Sequence, residues 1–197
     1  MNDVKHAWVE RIGAECAGVD APFFLELVVY HDEMEEKSLE FARLKPETVV
    51  RSLEEFSKPC YSVDVFKVGV PVNMAFVAGA GRSETAYTRE EAKGHFQDAS
   101  AAAGKPFIYL SEGVSNETFN EALELAAEAG ARFSGVLCGR ATWKDGVEIF
   151  AKRGMAALEE WLGGRGVKNI QRVNERLRAA APWFAFYGAG AAADLSD

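Results

Sequence analysis

Apolar and polar positions along the chain switch repeatedly between two periods. In "DVKHAWVERIGAECAG" (3–18), Val4, Trp8, Ile12 and Cys16 recur four apart, the spacing of one helix face, and the pattern stops at Gly18. "APFFLELVVY" (21–30) is instead a short unbroken run of aromatic and branched residues, which predicts a strand. The charged segment 32–43 and then "KPETVVRSLEEFSKP" (45–59), with Pro46 near a helix start, predict helical crossover material. "YSVDVFKVGVPVNM" (61–74) is the second strand. "TREEAKGHFQDASAAAGK" (88–105) opens with a Thr88/Glu91 capping box and stops at Gly104. "PFIYLSEG" (106–113) is the third strand, "SNETFNEALELAAEAGA" (115–131) a capped helix ending at Gly130, and "RFSGVLCGRATW" (132–143) the fourth strand. Two further helices, roughly 146–162 and 167–181, precede an Ala/Gly-rich tail, about 183–197, that is expected to fray. No repeat beyond this alternation and no linker divides the chain, so a single domain over 1–197 is expected.

Such an alternation predicts an α/β fold: a parallel sheet with right-handed crossovers and both faces covered. An open doubly wound sheet and a (β/α)8 barrel both satisfy it. A dinucleotide fold needs GxGxxG in its first βα turn. The nearest stretch, "AGAGRSE" (78–84), lacks the third glycine, follows its strand too late, and reads better as a flexible loop.

Lys67 stands in the middle of an apolar run. Lysine is rarely fully buried, and an unpaired buried amine is costly enough to lose its proton. Pleat parity puts Val63, Val65, Lys67 and Gly69 on one face of the second strand, opposite Phe66, Val68 and Val70. Phe24, Glu26 and Val28 share a face on the first strand; Tyr109 and Ser111 align on the third, Cys138 and Arg140 on the fourth. Each strand thus carries a polar residue toward its C-terminal end, where a barrel builds its active site. A buried structural pair of Lys67 with Glu26 fits the same pattern.

Charge and composition narrow the partners. The net charge of −8 argues against non-specific nucleic-acid binding. No apolar run approaches the roughly 20 residues of a membrane span, and "MNDVKHAWVERIG" has no signal-peptide core, so no membrane association is expected. Cys16, Cys60 and Cys138 are widely spaced without a CxxC, which suits a reducing cytoplasm. His6, His31 and His95 are isolated, so neither a metal site nor another cofactor is expected.

"FFLELV", "DVFKVGVPVNM", "PFIYLSEGVS" and "FSGVLCGRATW" together closely resemble the class I, lactose-catabolic type of tagatose 1,6-bisphosphate aldolase, from the first helix to about residue 181. The resemblance implies a (β/α)8 barrel and Schiff-base cleavage of a ketohexose bisphosphate. It maps the imine-forming lysine to Lys67, the proton-shuttling carboxylate to Glu26, and phosphate ligands to Ser111, Gly113, Gly139 and Arg140. Another phosphorylated ketose, such as a sulfofructose phosphate, or a non-catalytic phosphate-binding remnant are the alternative outcomes.

The implied chemistry suits these residue types. A neutral amine attacks a ketose carbonyl, and the protonated imine withdraws electrons from the bond being broken. One carboxylate can serve in turn as base and acid. A phosphate suits the turn Ser111–Gly113 ahead of a helix, with Arg140 adding paired donors. Two positions depart from the resembled pattern: Gly69 stands where an acidic residue is expected, and Glu112 stands where alanine is usual. Length departs further. The chain begins at what looks like the helix before a fifth strand, and four strands cannot close an eight-stranded barrel. The expectation is therefore a C-terminal half-barrel that either forms a homo-oligomer or complements a missing N-terminal half.

Overall fold

The four apolar runs become four short parallel strands: β1 (Phe24–Leu27), β2 (Val65–Gly69), β3 (Phe107–Leu110) and β4 (Gly135–Leu137). They lie in one sheet in the order β1-β2-β3-β4, as consecutive βα units dictate. The computed structural model describes residues 2–79 and 84–191; most of the glycine-rich stretch 78–84, the residues 80–83, lies outside them. The helices are α1 (Asn2–Gly18), α2 (Leu39–Phe56), α3 (Arg89–Ala102) and α4 (Asn116–Glu128), then α5 (Arg140–Trp143), α6 (Asp145–Arg153), α7 (Met155–Trp161) and α8 (Val167–Arg176). The fold class is the expected α/β one, with four parallel strands and flanking helices.

Register sorts the side chains into two faces. Glu26 lies opposite Lys67, Lys67 opposite Ile108, and Ile108 opposite Gly135; the next row is Leu27, Val68, Tyr109 and Val136. Phe66, Val68, Phe107 and Tyr109 are buried beneath the helices, together with Phe96, Phe119 and Phe133. The Lys67 face is open: Phe24 is 51% exposed and Leu137 53%. The expectation that both faces are covered is therefore corrected. So is the parity on the third strand. Tyr109 pairs with Val68 and points into the helix-side core, while Ile108 and Leu110 share the lysine's face.

Local chemistry explains the helix ends and one helix interior. Ser38 caps α2 by accepting from the Phe41 amide, and Thr88 and Glu91 form the expected capping box on α3. Pro46 sits well inside α2 rather than near its start. A proline lacks the N–H that would reach the carbonyl four residues back. That carbonyl belongs to Ala42, and the buried Tyr87 hydroxyl donates to it instead. Burial pushes the Tyr87 hydroxyl up to about 12.

α1 buries Val9 and Gly13; of the expected stripe, Ile12 and Cys16 pack half-buried against the core while Val4 and Trp8 stay exposed. A side chain at Gly13 would come within 1.9 Å of the Tyr61 carbonyl, so the glycine permits this close approach. The helix expected over 146–162 is divided by Gly154 (φ +79) into α6 and α7. In the stretch expected to fray, Trp183–Tyr187 forms a 3-10 turn; residues 192–197 lie outside the described ones. Among the described residues, no helix is long and apolar enough to cross a membrane.

Candidate active site

Strand register carries Lys67 directly beside Glu26, and the Lys67 Nζ donates to Glu26 Oε2 at 2.7 Å. The two side chains are 23% and 47% exposed. The buried structural pair envisaged from sequence is therefore not what forms. An ion pair this exposed adds little to stability, typically below about 1 kcal/mol. What it does provide is an amine and a carboxylate in hydrogen-bond contact on the open face of the sheet.

The turn after β3 leads into α4 through two residues with positive φ, Glu112 (+50) and Gly113 (+77). Ser111 is buried at its start, its carbonyl accepts from the Val114 amide at 3.1 Å, and Ser115 caps the helix. Arg140 lies against this turn: a Cβ at Gly113 would come within 3.0 Å of the guanidinium carbon. Glycine at 113 thus serves both the backbone conformation and the arginine's approach. Arg140 is exposed and forms no ion pair among the described residues. Its position is fixed by α5, where the Thr142 amide and hydroxyl both donate to the Gly139 carbonyl, at 2.9 and 2.7 Å.

Three neighbours of this turn escaped the sequence reading. Lys45, on α2, is only 7% exposed and its Nζ donates to Glu112 Oε2 at 2.8 Å. A signal was available: Phe41, Lys45, Val49 and Leu53 fall four apart on the buried face of α2. Lys144 donates to the Gly113 carbonyl at 2.9 Å. Buried Asn169 on α8 donates to the Thr142 carbonyl at 2.9 Å and so braces α5.

The Glu112 carboxylate folds back across β2. A Cβ at Gly69 would meet its Oε1 at 2.2 Å. The two departures noted in the sequence are thus in contact: the glycine leaves the space that the glutamate fills. The chain of contacts runs from Glu26 to Lys67, along β2 to Gly69, then through Glu112 and Gly113 to Arg140.

Two hollows lie elsewhere. One of about 320 Å³, lined by residues including Asp20, Ser62, Asp64 and Lys105, sits at the opposite end of the strands. The other, about 270 Å³, lies around Tyr87 and His95. Neither contains a residue of the chain of contacts above. Among the described residues, no three of His, Cys, Asp or Glu come together as a group able to hold a metal ion. Burial raises the Cys138 thiol above its ordinary value.

Comparison with known proteins gives this geometry a context. Residues 1–145 match the family described as DeoC/LacD family aldolase. The chain is 48% identical over 190 residues to the tagatose 1,6-diphosphate aldolase of Listeria monocytogenes serotype 4a (strain HCC23), covering 95% of this chain and 56% of that protein. It is 52% identical over 187 residues to tagatose 1,6-diphosphate aldolase 2 of Enterococcus faecalis (strain ATCC 700802 / V583), covering 94% and 56%. The similarly named protein of Staphylococcus aureus (strain JH9) is 50% identical over 182 residues, covering 92% and 56%. The chain therefore spans little more than half the length of these relatives.

Proposed function

The chain belongs to the DeoC/LacD aldolase family, and from that premise we propose that it carries the Schiff-base centre of an aldolase that cleaves a ketohexose bisphosphate, tagatose 1,6-bisphosphate, to dihydroxyacetone phosphate and glyceraldehyde 3-phosphate. The observation that carries this reading is the Lys67–Glu26 contact of 2.7 Å on the open sheet face. The substrate assignment rests on the names of the relatives.

In the proposed reaction the free amine of Lys67 adds to the ketone carbon, and loss of water leaves a protonated imine. A base takes the proton from the hydroxyl across the scissile bond, and that oxygen becomes the carbonyl of departing glyceraldehyde 3-phosphate as the bond breaks. The bond's electron pair moves into the imine to give an enamine. Proton return to the enamine carbon and hydrolysis then release dihydroxyacetone phosphate and regenerate the lysine. Glu26, already hydrogen-bonded to the amine, is the proposed carrier of these protons. Ser111, Gly113, Gly139 and Arg140 are the proposed phosphate ligands. The guanidinium supplies paired donors, and the Gly113 and Gly139 backbones admit a phosphate closely.

The open face, with Phe24 and Leu137 half-exposed, supports a partner that covers it: a second copy of this chain or a polypeptide supplying further strands. The chemistry and the unpaired cysteines are consistent with a cytoplasmic setting. The test is to incubate the purified chain with dihydroxyacetone phosphate and borohydride and map the adduct by peptide mass spectrometry. The expected adduct lies on Lys67. Modification of Lys58 or Lys105 with Lys67 untouched overturns the assignment.

A further inference from the structure

Glu112 is an awkward residue to find in this turn. It precedes Gly113, against which the Arg140 guanidinium packs, so a carboxylate arises one residue from the contact of an arginine that has no ion pair among the described residues. A carboxylate is a good bidentate partner for a guanidinium and competes with a phosphate for the same donors. Yet the Glu112 side chain turns the other way, across Gly69, to a lysine on a different helix.

Two independent features hold it there. The first is a cation: Lys45 is 7% exposed and its ammonium contacts Glu112 at 2.8 Å. A lysine this buried needs a charged partner, and Glu112 is its ion-pair partner among the described residues. The second is space. Gly69 has ordinary strand backbone, so its lack of a side chain is not a matter of φ; a Cβ there would lie 2.2 Å from the carboxylate oxygen. Glycine at 69 and lysine at 45 act on the same group, one by leaving room and the other by attraction.

We propose that Lys45 and Gly69 sequester the Glu112 carboxylate and so keep Arg140 free for a phosphate; Lys45 is a positioning residue of the anion site. This rests on the assignment of Ser111 and Arg140 as phosphate ligands. Releasing Glu112 by either route lets it reach the guanidinium and occupy the donors that the anion requires.

The experiment titrates the full chain with sulfate and with inorganic phosphate, following the Gly113 and Gly139 amides by NMR. Lys45→Met removes the cation, and Gly69→Ala fills the space; in the second case the atoms displaced belong to the far end of a flexible side chain, so the strand is retained. Each is expected to weaken both anions about tenfold, the scale of losing charge-assisted hydrogen bonds. Adding Glu112→Gln to either variant restores parent affinity, because the neutral amide no longer competes as an anion. Glu112→Gln alone leaves the Lys45 ammonium without its carboxylate and lowers stability, so its folded fraction is checked by urea unfolding. The folded variant binds at least as well as the parent.

A purely structural role for Lys45 predicts that K45M stays weak in the E112Q background, and that result overturns the proposal. So does E112Q weakening binding as strongly as Arg140→Ala. If R140A weakens both anions while K45M and G69A bind as the parent does, sequestration fails and the phosphate assignment stands. If R140A itself leaves binding unchanged, the phosphate assignment is what fails.

Discussion

On one face of the sheet Phe66, Val68, Phe107 and Tyr109 disappear beneath the helices; on the other, Phe24 and Leu137 stay half-exposed and the Lys67–Glu26 pair meets solvent. The rows differ by one residue of register. On the buried side the Tyr109 ring packs at 5.3 to 5.8 Å from those of Phe96, Phe107 and Phe133, and burial of this kind is what stabilises a domain. On the open side Glu26 and Lys67 sit among Phe24, Val65, Ile108, Leu110 and Leu137, none of which is buried, so less stability is at stake. The difference teaches that substitutions on the two faces should fail in different assays: buried-face changes in unfolding, open-face changes in adduct formation and anion binding.

Lys67→Arg tests that separation with the largest expected effect. A guanidinium cannot form the imine, so the borohydride-trapped adduct should vanish altogether. Because the pair with Glu26 is exposed, the unfolding free energy should move by less than about 1 kcal/mol. Loss of adduct together with gross unfolding would mean that the open face carries the fold after all.

The mirror experiment is Phe107→Ala beside Phe24→Ala. Phe107 is 1% exposed and Phe24 51%. Truncating a buried phenylalanine costs about 3–5 kcal/mol through lost transfer energy and the cavity left behind. The exposed one should cost no more than about 0.5 kcal/mol. Urea unfolding of both variants measures the contrast, and equal losses would erase it.

Much of this division was legible in the sequence. Apolar runs located four strands, the Thr88/Glu91 box marked α3, and the parity of β1 and β2 placed Glu26 with Lys67. The fourth run overreached, since β4 stops at Leu137, Cys138 lies beyond it and Arg140–Trp143 is helical. Parity went wrong at Tyr109 because the alignment was counted through Ser111, and β3 ends at Leu110. Past the strand ends, Ser111 is placed by a turn and Arg140 by the start of α5, and neither continues the strand period. Lys45 went unnoticed because a lysine in a helix reads as a solvated residue, although its spacing with Phe41 and Val49 put it on the buried face. The contact between Glu112 and Gly69 joins residues distant in sequence, which no local pattern records.

Arg140→Ala comes next in size. With no ion pair of its own among the described residues, Arg140 can be removed without leaving a buried charge behind. Binding of dihydroxyacetone phosphate should weaken by about 1.5–3 kcal/mol, the range for hydrogen bonds to a charged group, while unfolding should change little. Calorimetric titration reads the first and urea unfolding the second. An unchanged dissociation constant removes Arg140 from the site.

The smallest effect concerns the one polar atom on the buried row. Tyr109 is 1% exposed, and its hydroxyl has no hydrogen-bond partner among the described residues. An unsatisfied buried hydroxyl costs desolvation with nothing in return, so Tyr109→Phe should stabilise the chain by roughly 1 kcal/mol at neutral pH. Burial raises the tyrosine's pKa far above its ordinary value, so the folded state holds the proton more tightly than the unfolded state does. A raised folded pKa means that this contribution to stability is fully present below the unfolded value, about 10, and is lost as the pH climbs beyond it. Phenylalanine has no proton to lose. The advantage of Tyr109→Phe should therefore widen above about pH 10, even as Tyr61 and Tyr87, both pushed up to about 12, weaken parent and variant alike. Urea unfolding at neutral pH and again above pH 10 measures the gap. A variant less stable than the parent at neutral pH would show that the hydroxyl is hydrogen-bonded, and the buried face would then carry a polar contact of its own.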